Sequence, residues 1–291
     1  MKSKSIKIFS AILNIFFYGS LAFIVLILFQ VFCFTSFKIP SDSMEPSLNE
    51  GDNILVNKMI KGARLFDLKT AFAKKDFSIK RIPGLSSFKR NDVLVFNFPY
   101  PVNWDSISFD IMKYYVKRCV ALPGDTIEII NGFYKIKNSN ELLGNIESQK
   151  KKSSLSDTFP ENIQFETYPW NRHMNWTVKE FGPLAVPEKG QIVNMDSTAY
   201  ILYHQLIRWE QSKTFRRSGN DIYLGDSLIN SYKFTHNYYF VAGDKLENSQ
   251  DSRYWGLLPE DYIVGKAVLI WYSKDPYTGK IRWNRLGKRI K

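Results

Sequence analysis

The sequence predicts a mostly-β domain carried behind one membrane-spanning helix, and three features predict it. Residues 8–37 carry no charged side chain. The segments GDNILVNK, RNDVLVFNF, PGDTIEII and KGQIVNM each set a turn pair before a short β-branched apolar run, which is how strand entries read. One stretch, around residues 196–210, spaces Tyr200, Tyr203, Leu206 and Ile207 as a helix would.

The charge-free run exceeds the roughly 20 apolar residues that cross a hydrocarbon core. Lys2, Lys4 and Lys7 precede it and only Lys38 follows closely. The positive-inside rule then divides the chain into a cytoplasmic stub 1–7, an anchor 8–37 and an extracytoplasmic domain 38–291. A cleaved leader would have an apolar core of about 7–15 residues and a small-residue cut site. FQVFCFTSF offers bulky residues there, so the anchor is expected to be retained, and no second run reaches spanning length.

Within the domain, Asn131-Gly132 between apolar runs predicts a hairpin, and DIYLGDSLINSYKF predicts another turning at Gly225-Asp226. Residues 60–88 and 131–235 read as insertions. The first is basic with a little helix; the second contains SQKKKSSLSDT, expected to be mobile. VFNFPYPVNW and the trio Met44, Pro46 and Leu48 either seat the domain in the headgroup layer or belong to its core.

Composition narrows the function. A chain of 291 residues with 44% hydrophobic content can bury a substantial core. Its 40 basic against 28 acidic residues suit an anionic lipid surface or nucleic acid. The C-terminal GKIRWNRLGKRIK mixes Arg282, Arg285, Lys288 and Arg289 with Trp283 and Leu286, which fits a headgroup-facing surface, so no nucleic-acid partner is expected. Cys33 lies in the apolar run and Cys119 in a strand, so no disulfide is expected between them. His173, His204 and His236 lack metal-ligand spacing; neither a metal nor a cofactor is expected.

Hydrolytic chemistry without a suitable histidine needs another base. A lysine serves if burial strips its charge near neutral pH. Lys117 in KYYVKRCVALPGD alternates with Tyr115, Cys119 and Ala121, so a strand would turn all four to one face, away from Arg118. KIPSDSMEPSLNEGD places Ser41 and Ser43 in a turn-rich segment just outside the anchor. GDKLENSQDSR concentrates Asp244, Ser249, Asp251 and Arg253, and Asp251 is spaced to pair with Arg253.

In order, PSDSMEPSL, NDVLVFNFP, YVKRCVALPGDTIEI and GDKLENSQDSRYWGLLPEDYIVGKA resemble the boxes of bacterial type I signal peptidase. The resemblance implies a β-sheet or barrel catalytic domain with an α/β insertion behind one transmembrane helix. It implies a membrane-bound serine endopeptidase that removes signal peptides from exported preproteins, cutting after small residues through an acyl-enzyme. Ser43 matches the nucleophile and Lys117 the general base of the Ser–Lys dyad. The Ser41 hydroxyl and the Ser43 N–H match the oxyanion hole. Ser249 matches the serine that orients the lysine; Asp251, Arg253 and Asp244 match the supporting loop. The implied partners are preprotein signal peptides and the lipid bilayer, and the implied setting is a monomer in the bacterial cytoplasmic membrane. The sequence departs from the family's usual GDNRDNS at Lys245, Leu246 and Glu247. Two rival readings are a non-catalytic anchored β-domain that binds exported chains and a self-cleaving protease of the repressor type. The anchor and the lack of a DNA-binding motif disfavour the second.

Overall fold

The computed structural model describes residues 2–73, 78–154 and 167–291, with side chains from residue 9 onward. Helix α1 (Lys2–Phe32) is apolar from Phe9 and buries none of that length against the protein. The charge-free run does not end as helix. Its last residues form strand β1 (Phe34–Lys38), every residue of which pairs with β2 (Asp52–Asn57). The helix therefore stops five residues short of the end of the charge-free run. Thr35 and Ser36 carry no charge yet favour extended backbone, so charge could not mark the change. Lys58, just past β2, reaches back and donates from Nζ to the carbonyls of Gln30 and Val31, at 2.9 and 3.2 Å. Those are orphan acceptors of the helix end, and a cation there also opposes the helix dipole.

The first insertion folds as a strand pair, β3 (Arg64–Leu65) with β4 (Lys80–Arg81), around the short helix α2 (Leu68–Phe72). Part of its basic character points inward. Arg64 donates to the carbonyls of Asp261 and Tyr262, and Arg81 donates to those of Gly62 and Glu260. Strands β5 (Val93–Asn97) and β6 (Tyr114–Ala121) follow and pair antiparallel.

The chain then leaves the main sheet earlier than residue 131. Strand β7 (Thr126–Ile130) joins β8 (Phe133–Ile136) and β9 (Phe181–Ala185) in a separate sheet. The expected hairpin turns at Asn131 and Gly132, both at positive φ (50° and 82°). Part of the segment expected to be mobile is helix α3 (Ile146–Ser153), whose first turn is capped by the Asn145 side chain; residues 155–158 of that segment lie outside the described residues. After β10 (Ile192–Asn194), Asp196 caps α4 (Ser197–Gln211), and Leu202, Tyr203, Leu206 and Ile207 form its buried face. Strands β11 (Phe215–Ser218), β12 (Asp221–Leu224) and β13 (Ser227–Leu228) make a small sheet, with Gly225-Asp226 at the predicted turn. Strand β14 (Ser231–Lys233) pairs with β10.

The return to the main sheet is through β15 (Tyr238–Ala242), helix α5 (Ser252–Trp255), β16 (Leu258–Pro259), the long β17 (Ile263–Ser273) and β18 (Lys288–Arg289). The strand order is β1-β2-β17-β5-β6-β15-β16, with β18 alongside β17. Both faces are covered. Leu94 and Phe96 of β5 enter the larger core, and Val93 and Val95 enter the smaller one with Ile39, Met44 and Leu48. That explains a strand with no polar alternation. Gly265 is required where β17 crosses β2, since a Cβ there would lie 2.4 Å from the Asn57 carbonyl oxygen.

Of the two readings of VFNFPYPVNW and of Met44, Pro46 and Leu48, the core reading holds for most residues, and one arginine of the C-terminal stretch turns inward. Phe96, Phe98 and Tyr100 pack around Trp255 in the core, with ring centroids 5.8–6.2 Å from it. Met44 and Leu48 are buried as well, leaving Val102, Asn103 and Pro46 as the exposed residues of those groups. In the C-terminal stretch Arg285 turns inward onto buried Asp52, with its nearest nitrogen 2.5 Å from the carboxylate, and donates to the Ser47 carbonyl. Removing one member of such a pair leaves an uncompensated buried charge. Arg285→Ala is expected to lower the unfolding free energy by about 3–5 kcal/mol, read from denaturant titration in detergent. A loss under ~1 kcal/mol would mean the pair is solvated rather than buried.

Candidate active site

The segment after β1 is a turn held by apolar pegs. Ile39, Met44 and Leu48 are inserted into the smaller core, and between them Glu45 N–H donates to the Asp42 carbonyl and Leu48 N–H to that of Met44, both at 2.9 Å. The alternation of buried and surface positions leaves Ser41 exposed and Ser43 half-buried at the rim of a groove of about 550 Å³. The Ser43 N–H donates to no protein acceptor among the described residues, so it is available to a ligand in the groove.

Lys117 approaches from β6. Its Nζ lies 2.6 Å from Ser43 Oγ, across 74 positions of sequence. The side chain is only 4% exposed, and its Nζ stands 5.8 Å from the centroid of the Tyr115 ring, a neighbour on the same strand face. Burial pushes the Lys117 pKa down from 10.5 to about 8; Asp251, Asp244 and Asp42 oppose that shift and Arg253 reinforces it. An amine in that range is partly neutral near physiological pH, and a neutral amine can take a proton from the hydroxyl it touches.

The third component is the loop between β15 and α5. Asp251 and Arg253 are fully buried and pair in a fork, Nε to Oδ1 and Nη2 to Oδ2, both at 2.8 Å. Burial alone would raise the Asp251 pKa; the Arg253 charge and hydrogen bonds, with the Gly243 N–H, hold it below the ordinary carboxylate range. Asp244 forms a second fork with Arg118 of β6, at 2.7 and 2.6 Å. Gly243 passes where no side chain fits: a Cβ would lie 2.2 Å from Ser249 Oγ and 2.6 Å from the Ser43 carbonyl oxygen.

Ser43 and Lys117 are thus in direct contact, Ser41 lies at the same groove, and Asp251 pairs with Arg253 as their spacing predicts. Ser249 sits differently from its expected place. Its hydroxyl donates to Asp251 Oδ2 at 2.8 Å, and no hydrogen bond links it to Lys117. The sequence reading also missed partners. Arg118 holds Asp244, and Lys245 bridges Asp42 and Glu45, with Asn248 donating to Asp42 at 2.8 Å. The available signal was charge: two carboxylates flank Ser43 without a local cation, and a lysine appears in the loop that has to meet them.

The chain matches the family described as "Signal peptidase, peptidase S26" over residues 12–272. It is similar to the signal peptidase I of Aquifex aeolicus (strain VF5), 27% identical over 241 residues, which cover 82% of this chain and 75% of that protein. It is also similar to the signal peptidase I of Pseudomonas aeruginosa, 29% identical over 277 residues covering 91% of this chain and 74% of that one. A solved structure of a signal peptidase I from Enterococcus faecalis V583 aligns with a TM-score of 0.30 at 18% identity, covering 63% of this chain and 98% of that one.

The buried amine makes a prediction independent of catalysis. Between pH 8 and 10.5 the folded state has released the Lys117 proton while the unfolded chain still holds it. Stability therefore rises with pH through that window. The burial penalty on the charged form, up to about 3 kcal/mol, is fully present below pH 8 and is relieved above it. Unfolding free energies measured across the window should climb more steeply for the wild type than for Lys117→Met. Parallel slopes would show an amine that keeps its ordinary pKa.

Proposed function

The chain belongs to the peptidase S26 family of signal peptidases and is a serine endopeptidase that removes signal peptides from preproteins; we propose that Ser43 is its nucleophile and Lys117 its general base. The observation that carries the assignment is the 2.6 Å contact between a desolvated amine and a hydroxyl at the rim of a groove. Neutral Lys117 takes the Ser43 proton as Oγ attacks the scissile carbonyl. The Ser43 N–H and the Ser41 hydroxyl then receive the developing oxyanion, each donor contributing about 3–4 kcal/mol. Protonated Lys117 returns its proton to the leaving amine, and afterwards takes one from the water that hydrolyses the ester. Ser249 acts on the base through Asp251 rather than by touching it. The non-catalytic reading is not favoured, because the matched family is one of peptidases.

Substrate enters as a strand. Strand β15 pairs with β6 at Arg118, Cys119 and Ala121, leaving the first half of β6 open on that side. The outer edge of β1 is also open, and Phe37 meets Tyr114 across the gap at 4.9 Å between ring centroids. An extended segment laid along these edges would use main-chain hydrogen bonds for affinity. The apolar groove wall would then admit only small side chains next to Ser43.

The protein is a single-pass membrane protein, and we place its N-terminus in the bacterial cytoplasm and the domain outside as a monomer. The three lysines at the start of α1, before its apolar stretch, support that orientation. Trp271 bonds Ser36 of β1 at 2.8 Å, close to where the helix ends, and both it and Trp283 are largely exposed, which suits the headgroup layer.

Ser43→Ala and Lys117→Ala should each reduce preprotein cleavage by at least about 1,000-fold with folding retained. Cleavage at near wild-type rate by either variant would refute the dyad. For the wild type, log kcat/KM should climb with pH and level off near the Lys117 pKa of about 8, because protonation removes the base. A rate flat from pH 5 to 9 would contradict a lysine base. In spheroplasts, externally added protease should reach the domain; full protection would reverse the orientation.

A further inference from the structure

Lys245 stands where the family pattern has a neutral side chain, and it meets the nucleophile turn twice. Its backbone N–H donates to the Ser43 carbonyl at 3.1 Å. Its ammonium pairs with Asp42 and, at 3.1 Å, with Glu45. Asp42 separates the two serines, so the peptide joining it to Ser43 carries the N–H assigned to the oxyanion. The Asp42 carbonyl is held by Glu45 N–H and the Asp42 carboxylate by Lys245 and Asn248. That peptide is therefore held on one side from within the turn, and the Asp42 side chain beside it is held from outside.

Charge gives the second strand of evidence. Two carboxylates within two residues of Ser43 oppose the formation of an oxyanion there. Asp42 is also one of the groups that favour protonated Lys117, together with Asp251 and Asp244, while Arg253 acts the other way. Around Lys245 the facing charges are Asp42, Glu45 and, more weakly, Glu247, which already pairs with Lys151 at 2.9 Å. Among the described residues, Lys245 is the cation paired with Asp42. Resting on the Ser43–Lys117 assignment, we propose that Lys245 is a positioning residue for peptide cleavage: it aims the Asp42–Ser43 peptide into the groove and neutralises the acidic pair beside the nucleophile.

These ion pairs are partly exposed, and such pairs add little to stability. A role confined to folding would thus leave kinetics alone, whereas positioning would alter kcat and the pH profile. The test uses the full chain in detergent with a preprotein substrate, measuring kcat and KM from pH 6 to 10. Lys245→Ala is expected to lower kcat on the order of ten-fold, with KM changed by less than about two-fold. Its acidic limb should move up by about half a pH unit, and Lys245→Arg should recover both. Asp42→Asn combined with Lys245→Ala should return the limb to its wild-type place, because the unmasked charge is gone. Lys245→Gln carries the same expectations should the alanine variant not fold. A Lys245→Ala enzyme with wild-type kcat and an unmoved limb, or with a loss confined to KM, overturns the proposal. If that occurs while Ser43→Ala is inactive, the dyad stands and only the role of Lys245 fails; an active Ser43→Ala would remove the reading beneath both.

Discussion

A lysine amine works as a base only where water cannot stabilise its protonated form, and the surroundings of Lys117, the base we propose, meet that requirement. Strand β6 buries the side chain, and burial is the largest influence on its pKa. The same low-dielectric setting magnifies every nearby charge. Asp251 and Asp244 both lie close enough to pull the amine back toward its charged form. Each is answered by its own guanidinium, Arg253 or Arg118, in a two-bond fork. Buried ion pairs are weak evidence for stability. Here their use is electrostatic: they supply rigid backbone anchors around the loop without leaving free carboxylates beside the base.

Ser43, the nucleophile we propose, faces the opposite problem, because it must stay at the surface yet hold its direction. Apolar pegs do this from below. Ile39, Met44 and Leu48 are almost wholly buried, which fixes the backbone while Ser41 and Ser43 remain at the groove. Polar contacts hold the turn from above, through the Lys245 N–H on the Ser43 carbonyl and the Arg285 contact with the Ser47 carbonyl. Gly243 permits this approach, since any side chain would collide with Ser249 and the Ser43 carbonyl. The segment is a turn by sequence and a rigid mount by packing.

Legibility in the sequence tracked how local each feature is. The Asn131-Gly132 hairpin, the Asp196-capped helix and the Asp251–Arg253 pair depend on residues a few positions apart, and all could be read directly. The alternation of Tyr115, Lys117 and Cys119 gave the facing of the base, but its meeting with Ser43 spans 74 positions and came only from resemblance until the sheet order was known. What stayed illegible is of two kinds. Aromatic-rich VFNFPYPVNW is compatible with lipid or core, and only the position of Trp255 decides for core. Ser249, Arg118 and Lys245 each had several possible partners, and pairing over long separations cannot be chosen without the fold. The end of the helix is not legible in the charge pattern, because uncharged Thr35 and Ser36 carry the charge-free run on into β1.

That helix end bears on how the site meets its substrate. Because the helix passes into β1 after Cys33, no flexible linker separates helix from sheet. Phe29 stacks on Phe34 across the junction, and Lys58 ties the far end of β2 to the last helical carbonyls. The β1–β2 pair is thereby held at a set angle to the helix, and Ser43 lies only five residues beyond β1. Five residues span at most ~18 Å even when extended, and the turn uses less. A nucleophile mounted on a long tether would sample many positions relative to the helix; Ser43, the nucleophile we propose, is confined to a narrow band. Cleavage-site choice can then arise from two rulers acting together, the height of the groove above the bilayer and the small space beside Ser43. A signal peptide held in the membrane would present few peptide bonds that satisfy both.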